Sequence, residues 1–338
     1  MGEATLSKSE RTEIANRLRA EGNRIAPVLE ELLPREADEY ISNPIWHHMG
    51  TGGKRVRPAL CLLACKSLGG DSADALYFAT AVEIIHNMFL VHDDLEDGDR
   101  MRRDEPTVWV KYGAGNAVNV GDYMHGKAHK AILKTPTDDS TKVRLCEAFD
   151  DTFLLTCRGQ ALDLNCRGSV DFTVDDYMEL VTLKTGHYLA LGMVGGAIVA
   201  GAGEDVIEKI KELGRNMGPA FQIRDDLLDL TKGKGRGGVE GNDIREGKPS
   251  ILYAHSLENA SPEDRQRLIE IMGKDRRDTT HEDVQETVGI WERAGSLEYA
   301  HETAEKLTDQ ALATLEEIPF EDKPFFRQVV RFMTERTT

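Results

Sequence analysis

Apolar residues recurring at helical spacing, almost no strand-like alternation, and glycine or proline stops between the periodic stretches predict an all-α fold of many helices packed around a central cavity. The first periodic stretch is Ile14 to Leu33. Pro58 opens the second, Ala59 to Leu68, and Gly69-Gly70 stops it. The third, Ala73 to Val91, runs into an acidic cluster that ends at Gly98. Val143 to Leu155, Tyr177 to Val199, Val206 to Leu230, Pro249 to Leu257, Val284 to Ala294 and Ala304 to Ile318 follow with the same period. Tyr188 to Gly203 is uncharged but shorter than the roughly 20 apolar residues of a membrane span, and Gly192, Gly195, Gly196 and Gly201 interrupt it. It reads as a buried helix whose small residues admit a close neighbour.

The 338 residues, 40% of them hydrophobic, suffice for a large core, and no Pro/Ser-rich linker divides them, so a single domain over residues 1–338 is expected. A formal charge of −17 argues against nucleic acid or an anionic membrane as partner. Five scattered cysteines form no disulfide framework, and Cys61 and Cys65, one turn apart, read as small buried side chains. Met1 to Arg11 lacks the apolar core of a signal peptide, which points to a cytoplasmic protein without membrane insertion.

Two copies of one acidic pattern carry the chemistry: Asp93-Asp94-Leu95-Glu96-Asp97 and Asp225-Asp226-Leu227-Leu228-Asp229. A helix advances about 100° per residue, so the first and fifth carboxylates of each copy share a face. Mg²⁺ favours one or two carboxylates together with water and phosphate oxygens, so two facing copies would hold it on a diphosphate. One copy alone would read as a solvated helix face; two copies, each ending an apolar stretch, favour metal. A calcium loop fails because Leu95 would fall where an oxygen ligand is required.

Basic residues stand where such an anion needs them. Gly52-Gly53-Lys54-Arg55-Val56-Arg57-Pro58 places cations and flexible glycines at a helix start, and Arg102-Arg103 offers paired guanidiniums just past the first acidic copy. His86 lies two turns before Asp93 on nearly the same face. His125 and His129 have zinc-compatible spacing but no intervening glutamate, so they do not read as metal ligands. The glycine-rich run Thr231 to Gly241 looks like a loop of the site.

The succession GGKRVRP, IIHNMFLVHDDLEDGDRMRRDEPTVW, GQALDL, LKTGHY, FQIRDDLLDL and GNDIREGKPS resembles the trans-isoprenyl diphosphate synthases of the polyprenyl synthetase family. The resemblance implies the isoprenoid synthase fold of antiparallel helices, a homodimer, and extension of an allylic diphosphate by isopentenyl diphosphate. It further implies that Lys54, Arg57 and His86, with Arg103 beside them, hold isopentenyl diphosphate. Arg102, Lys184, Thr185, Gln222 and Lys248 would contact the allylic substrate, the middle three at the reacting centre. Asp93, Asp97 and Asp225 would ligate magnesium, about three ions per site. Asp94, Asp226 and Asp229 complete the acidic copies.

Three positions depart from the family pattern. Asp104 replaces a small residue after the paired arginines, which loosens that turn; Gly238 stands where relatives carry lysine, leaving Lys232, Lys234 or Arg236 to supply the charge; and Met88-Phe89 is an uncommon pair. Phe89 lies one turn, about 5.4 Å, before Asp93 on the same face. In this family the residues just before the first motif line the product tunnel, so Phe89, with Met88, Ile85, Val82 and His125, would set its depth. The product expected is farnesyl or geranylgeranyl diphosphate, with the latter favoured because Met88 leaves more room than a second ring. Two rivals remain: a terpene cyclase, which usually lacks the second acidic copy and the GGKR segment, and a non-catalytic subunit, which typically loses acidic residues.

Overall fold

The computed structural model describes residues 6–35, 38–231 and 241–335. In chain order the helices are α1 (Lys8–Gly22), α2 (Ala26–Leu32), α3 (Glu39–Gly50), α4 (Val56–Ser67), α5 (Leu76–Glu96), α6 (Val108–Tyr112), α7 (Ala114–Lys134), α8 (Asp139–Asn165) and α9 (Val174–Val181). They continue as α10 (His187–Val199), α11 (Glu204–Asp229), α12 (Asn242–Arg245), α13 (Ile251–Asn259), α14 (Pro262–Met272), α15 (His281–Arg293), α16 (Ser296–Glu317) and α17 (Lys323–Thr334). One two-residue hairpin, β1 (Met101–Arg102) and β2 (Glu105–Pro106), is the strand structure among the described residues. The all-α class is as the sequence predicts.

Local chemistry sets many helix ends. Ser7 with Glu10, Thr173 with Asp176 and Thr280 with Asp283 form reciprocal capping boxes, each satisfying donors that the first helical turn leaves open. Two predicted helices are interrupted. Ile14 to Leu33 breaks into α1, a 3₁₀ turn at Asn23–Ile25, and α2. Pro27 at the start of α2 has no N–H to give the carbonyl four residues back, so the ladder cannot run through it, and just before the break a Cβ at Gly22 would lie 2.4 Å from the Arg55 carbonyl oxygen. Tyr177 to Val199 splits into α9 and α10 around a π-helical turn at Thr182–Gly186.

Two apolar cores result. One gathers α1, α2, α4, α5, α7, α8 and α10; the other gathers α9, α13, α14, α15 and α16 against α11. The glycines of α10 act as expected: Cβ atoms at Gly192 and Gly196 would meet the Arg57 and Cys61 carbonyl oxygens at 2.5 and 2.2 Å, and one at Gly195 would strike Phe78. That proximity brings α4, which carries Arg57, against α10, which carries Tyr188. All five cysteines are free, and burial pushes the thiols of Cys61 and Cys65 up, consistent with inert core residues. No helix among the described residues is long and apolar enough to cross a membrane.

Candidate active site

The first acidic copy closes α5. The Asp97 amide donates to the Asp93 carbonyl oxygen at 2.8 Å, so the helical turn holds through the motif. Asp94 turns inward, 1% exposed, and accepts from Arg102 Nε at 2.8 Å and Nη2 at 2.6 Å. Arg102 is delivered by the β1–β2 hairpin, whose turn residues Arg103 (φ 53°) and Asp104 (φ 66°) are both left-handed. The turn therefore closes tightly with Asp104 in place, since aspartate is among the few residues that tolerate this region.

A basic cavity of about 420 Å³ lies beside it, lined by Lys54, Arg57, His86 and Arg103 together with Glu83 and Asn87. Gly52 (φ 92°) and the left-handed Arg55 (φ 47°) turn the chain into α4 at this point. The Arg57 guanidinium rests on the Tyr188 ring, 4.5 Å from its centroid. Burial, then the charges of Arg57, His48, Arg102 and Arg103, push the His86 imidazole well below its ordinary range, so it is a neutral donor at pH 7. Burial raises the Glu83 carboxyl against the opposing pull of Asn87, which donates to it at 3.2 Å, and of nearby arginines.

The second pocket, about 50 Å³, is built around the π turn. Its lining brings together Lys184, Thr185, Gln222 and Lys248 with Asp163 and Asp226. Glycines again permit it: Cβ atoms at Gly159 and Gly218 would lie 2.4 Å from Lys184 N and 2.3 Å from Gly186 Cα. The π turn interrupts the regular i→i−4 ladder beside Lys184 and Thr185, a geometry recurrent at functional sites. Lys184 Nζ donates to Asp163 Oδ2 at 2.5 Å. Burial opposes the Asp163 charge, but Lys184, Lys248 and Arg167 together hold its carboxyl below the usual range.

In the second acidic copy, Asp226 accepts from the Tyr177 hydroxyl at 2.8 Å and from Gln222 Nε2 at 3.0 Å. Burial and the charge of Asp243 nevertheless push it up to about 7; a cation beside it would act in the opposite direction. Asp229 Oδ2 accepts the Asp243 amide at 2.9 Å, which ties α11 to α12. Lys248 Nζ lies 3.4 Å from both Asp243 and Glu246.

The two pockets share a wall. Phe221 of α11 lines the larger and its neighbour Gln222 the smaller. Ion pairs run from the first acidic copy to the smaller pocket: Arg102 to Asp94, Asp97 to Arg167 at 2.5 Å, Arg167 to Asp163 at 3.8 Å, and Asp163 to Lys184. The motif donors are all hard oxygens, the set Mg²⁺ takes. No three His, Cys, Asp or Glu side chains converge into a closed metal cage among the described residues. That still fits Mg²⁺, which binds through one or two carboxylates and completes its shell with water and substrate phosphate.

The residues expected to set product length divide. Phe89 is half-buried, stacked on Phe153 at 5.5 Å and edge-on to Tyr188 at 5.3 Å. His125 meets the other side of this group, 4.5 Å from the Phe153 ring. Met88 and Ile85 are buried in the core, 2% and 1% exposed. His129 Nε2 lies 3.1 Å from Asp150 Oδ1. Lys232, Lys234, Arg236 and Gly238, and most of the glycine-rich run, lie outside the described residues. Sequence reasoning missed Asp163, Arg167, Tyr177, Asp243 and Phe153. Asp163 sits in the GQALDL segment and Asp243 in the GNDIREGKPS segment, so both had a signal; Arg167, Tyr177 and Phe153 are placed by tertiary packing alone.

The chain matches the family model described as polyprenyl synthetase over residues 38–290. It is 38% identical to the short chain isoprenyl diphosphate synthase of Methanothermobacter thermautotrophicus, with 80% of this chain and 83% of that one covered. It is 36% identical to the geranylgeranyl diphosphate synthase of Saccharolobus solfataricus, covering 82% and 84%. The crystal structure of geranylgeranyl pyrophosphate synthetase from Pyrococcus horikoshii superposes with a TM-score of 0.89 at 34% identity, covering 96% of this chain and 99% of that one.

Proposed function

The chain belongs to the polyprenyl synthetase family, and on that premise we propose that its two pockets bring isopentenyl diphosphate and an allylic diphosphate together for head-to-tail condensation. It is a trans-prenyltransferase making a short-chain prenyl diphosphate. We assign geranylgeranyl diphosphate as the favoured product, with farnesyl diphosphate next. Dimethylallyl, geranyl or farnesyl diphosphate would serve as primer.

One observation carries the two-site reading: adjacent residues of α11, Phe221 and Gln222, point about 100° apart and line different anion pockets, so one helix would separate two diphosphate-bearing molecules on neighbouring faces. In this reading Lys54, Arg57, Arg103 and neutral His86 bind isopentenyl diphosphate, while Lys184, Lys248 and Arg102 hold the allylic diphosphate. Asp93, Asp97 and Asp225 would hold Mg²⁺, which supplies charge neutralisation for the departing diphosphate. Gln222 gives its amide N–H₂ to Asp226, leaving the amide oxygen for the allylic cation. The carbonyls around Lys184 and Thr185 would add dipoles of the same sign. The allylic C–O bond ionises and releases diphosphate, the double bond of isopentenyl diphosphate attacks the resulting allylic cation, and the released diphosphate takes the proton lost on elimination. The ring group Phe89, Phe153 and His125 would stop the growing chain.

We further read the protein as one domain, a cytoplasmic homodimer that binds no nucleic acid. A terpene cyclase is disfavoured by the second acidic copy and the separate basic cavity, and a non-catalytic subunit by the intact motifs. The deciding experiment incubates the pure protein with Mg²⁺, isopentenyl diphosphate and each primer in turn, and measures product length. A linear C20 diphosphate is expected; a cyclic hydrocarbon formed without isopentenyl diphosphate would overturn the reading.

A further inference from the structure

Arg276 stands on the connection between α14 and α15, distant in sequence from both acidic copies, yet its guanidinium reaches the flanks of both. On the α5 side Nη1 donates to the Asp97 carbonyl oxygen at 3.4 Å and to Asp99 Oδ1 at 3.2 Å. On the α12 side Nη2 donates to Asn242 Oδ1 at 2.9 Å, and Nη1 lies 3.2 Å from Glu246 Oε1. None of these acceptors is a carboxylate of either motif. Each belongs to the scaffold that carries one: the Asp99 amide donates to the Asp94 carbonyl oxygen at 2.8 Å, and the Asp243 amide of α12 to Asp229 Oδ2 at 2.9 Å.

We propose that Arg276 is a positioning residue: by bridging the end of α5 to α12 it sets the separation of the two acidic copies, and hence their joint affinity for a divalent cation on a diphosphate. This inference rests on the function proposed above. Mg²⁺ demands near-ideal octahedral geometry, so carboxylates from two helices must be held at a fixed spacing. Helix α12 has 4 residues and cannot hold itself in place by its own hydrogen bonds. The Glu246 side chain is 1% exposed and the Arg276 side chain 39%, so the carboxylate end of the contact is fixed in the interior while the guanidinium reaches it from the surface. A guanidinium fork serves acceptors on two segments with two fixed, separated nitrogens; an ammonium keeps the charge but gathers its donors on one atom and loses that span.

Arg276→Met should raise the Mg²⁺ concentration for half-maximal rate about tenfold, the scale at which residues behind metal ligands act. The KM for isopentenyl diphosphate should stay within about twofold, because that pocket lies on the other side of α11. Calorimetric titration of Mg²⁺ with inorganic diphosphate, which involves no turnover, should show the same weakening, and Arg276→Lys should restore only part of it. Should Arg276→Met not fold by circular dichroism, Asp99→Asn cuts the bridge from its other end. Where both single variants fold, the double variant should lose less than the sum of the two single losses. Unchanged Mg²⁺ affinity in these variants, or equal weakening of isopentenyl diphosphate binding, overturns the inference. A wild-type protein that transfers no prenyl group sinks the functional reading instead, so the two failures are distinguishable.

Discussion

Arg167 holds Asp97 across 2.5 Å, joining the segment after α8 to the last turn of α5. With Arg102 on Asp94 and Tyr177 on Asp226, much of the acidic charge is compensated by the protein itself. With that compensation in place the fold should not depend on the cation, unlike domains whose metal-binding energy is their folding energy. Chelation should abolish prenyl transfer while changing the melting temperature by less than about 2 °C, the shift that about 1.4 kcal/mol gives in a chain this long. A collapse of the melting temperature in EDTA would show the metal to be structural.

Both acidic copies should be indispensable. If Asp93 and Asp225 each help stabilise charge on the leaving diphosphate, removing either costs at least about 10²-fold in kcat, the scale for one preorganised electrostatic group. Asp225→Ala is the informative variant, because the first copy stays intact. Near-normal turnover there would rule out a two-cluster site.

His48 gives a pH prediction. Burial, then the charges of Arg102, Arg103 and His47, lower its pKa to about 3, with Asn87 pulling weakly the other way. The folded value lies below the unfolded one of about 6.5, so the unfolded chain binds the extra proton. The neutral buried ring carries no penalty above pH 6.5, and stability falls as pH drops from there toward 3, by about 1.4 kcal/mol per unit. Between pH 6.5 and 5 the wild type should lose about 2 kcal/mol more than His48→Gln, measured from urea midpoints. Parallel losses would show that His48 is protonated without cost.

How much was legible in advance follows the same physics. Helices with long apolar periods, such as α5 and α11, are read correctly to within a few residues. α7 is not, because Gly115, Gly121 and Gly126 weaken its local pattern; Gly121 is needed where a Cβ would run into His92 at 1.9 Å. α17 shows a plain pattern in Phe325, Phe326, Val329, Val330 and Met333, yet it was not among the predicted helices. In the site, motif residues are legible because their spacing is chemical. Arg167, Tyr177 and Arg276 are not, because each acts on a motif through tertiary contact alone.

The basic cavity predicts a split in substrate affinity. Arg57 lies in it with Lys54, His86 and Arg103, whereas Lys184 and Lys248 line the other pocket. Arg57→Ala removes one charge-assisted contact, worth about 1.5–3 kcal/mol, from a single diphosphate. The KM for isopentenyl diphosphate should rise by about tenfold or more, with that for the allylic primer nearly constant. Equal rises in both would show that the cavity does not belong to one substrate.

Product length tests the ring group. Phe89 sits one turn before Asp93 and leans on Phe153 and Tyr188, while His125 backs Phe153 from the far side at 4.5 Å. A chain growing away from the metal along this face of α5 would meet Phe89 first and Phe153 behind it. Aromatic side chains bury about 150–250 Å² each, so replacing one by alanine opens room for roughly one further isoprene unit. Phe89→Ala should therefore lengthen the main product by about one unit, and Phe89→Ala with Phe153→Ala should lengthen it again, the metal requirement staying unchanged in both. Chromatography of the dephosphorylated alcohols reads the distribution directly. The wild-type spectrum persisting in the double variant would place the tunnel floor elsewhere and leave Phe89 as ordinary packing between α5, α8 and α10.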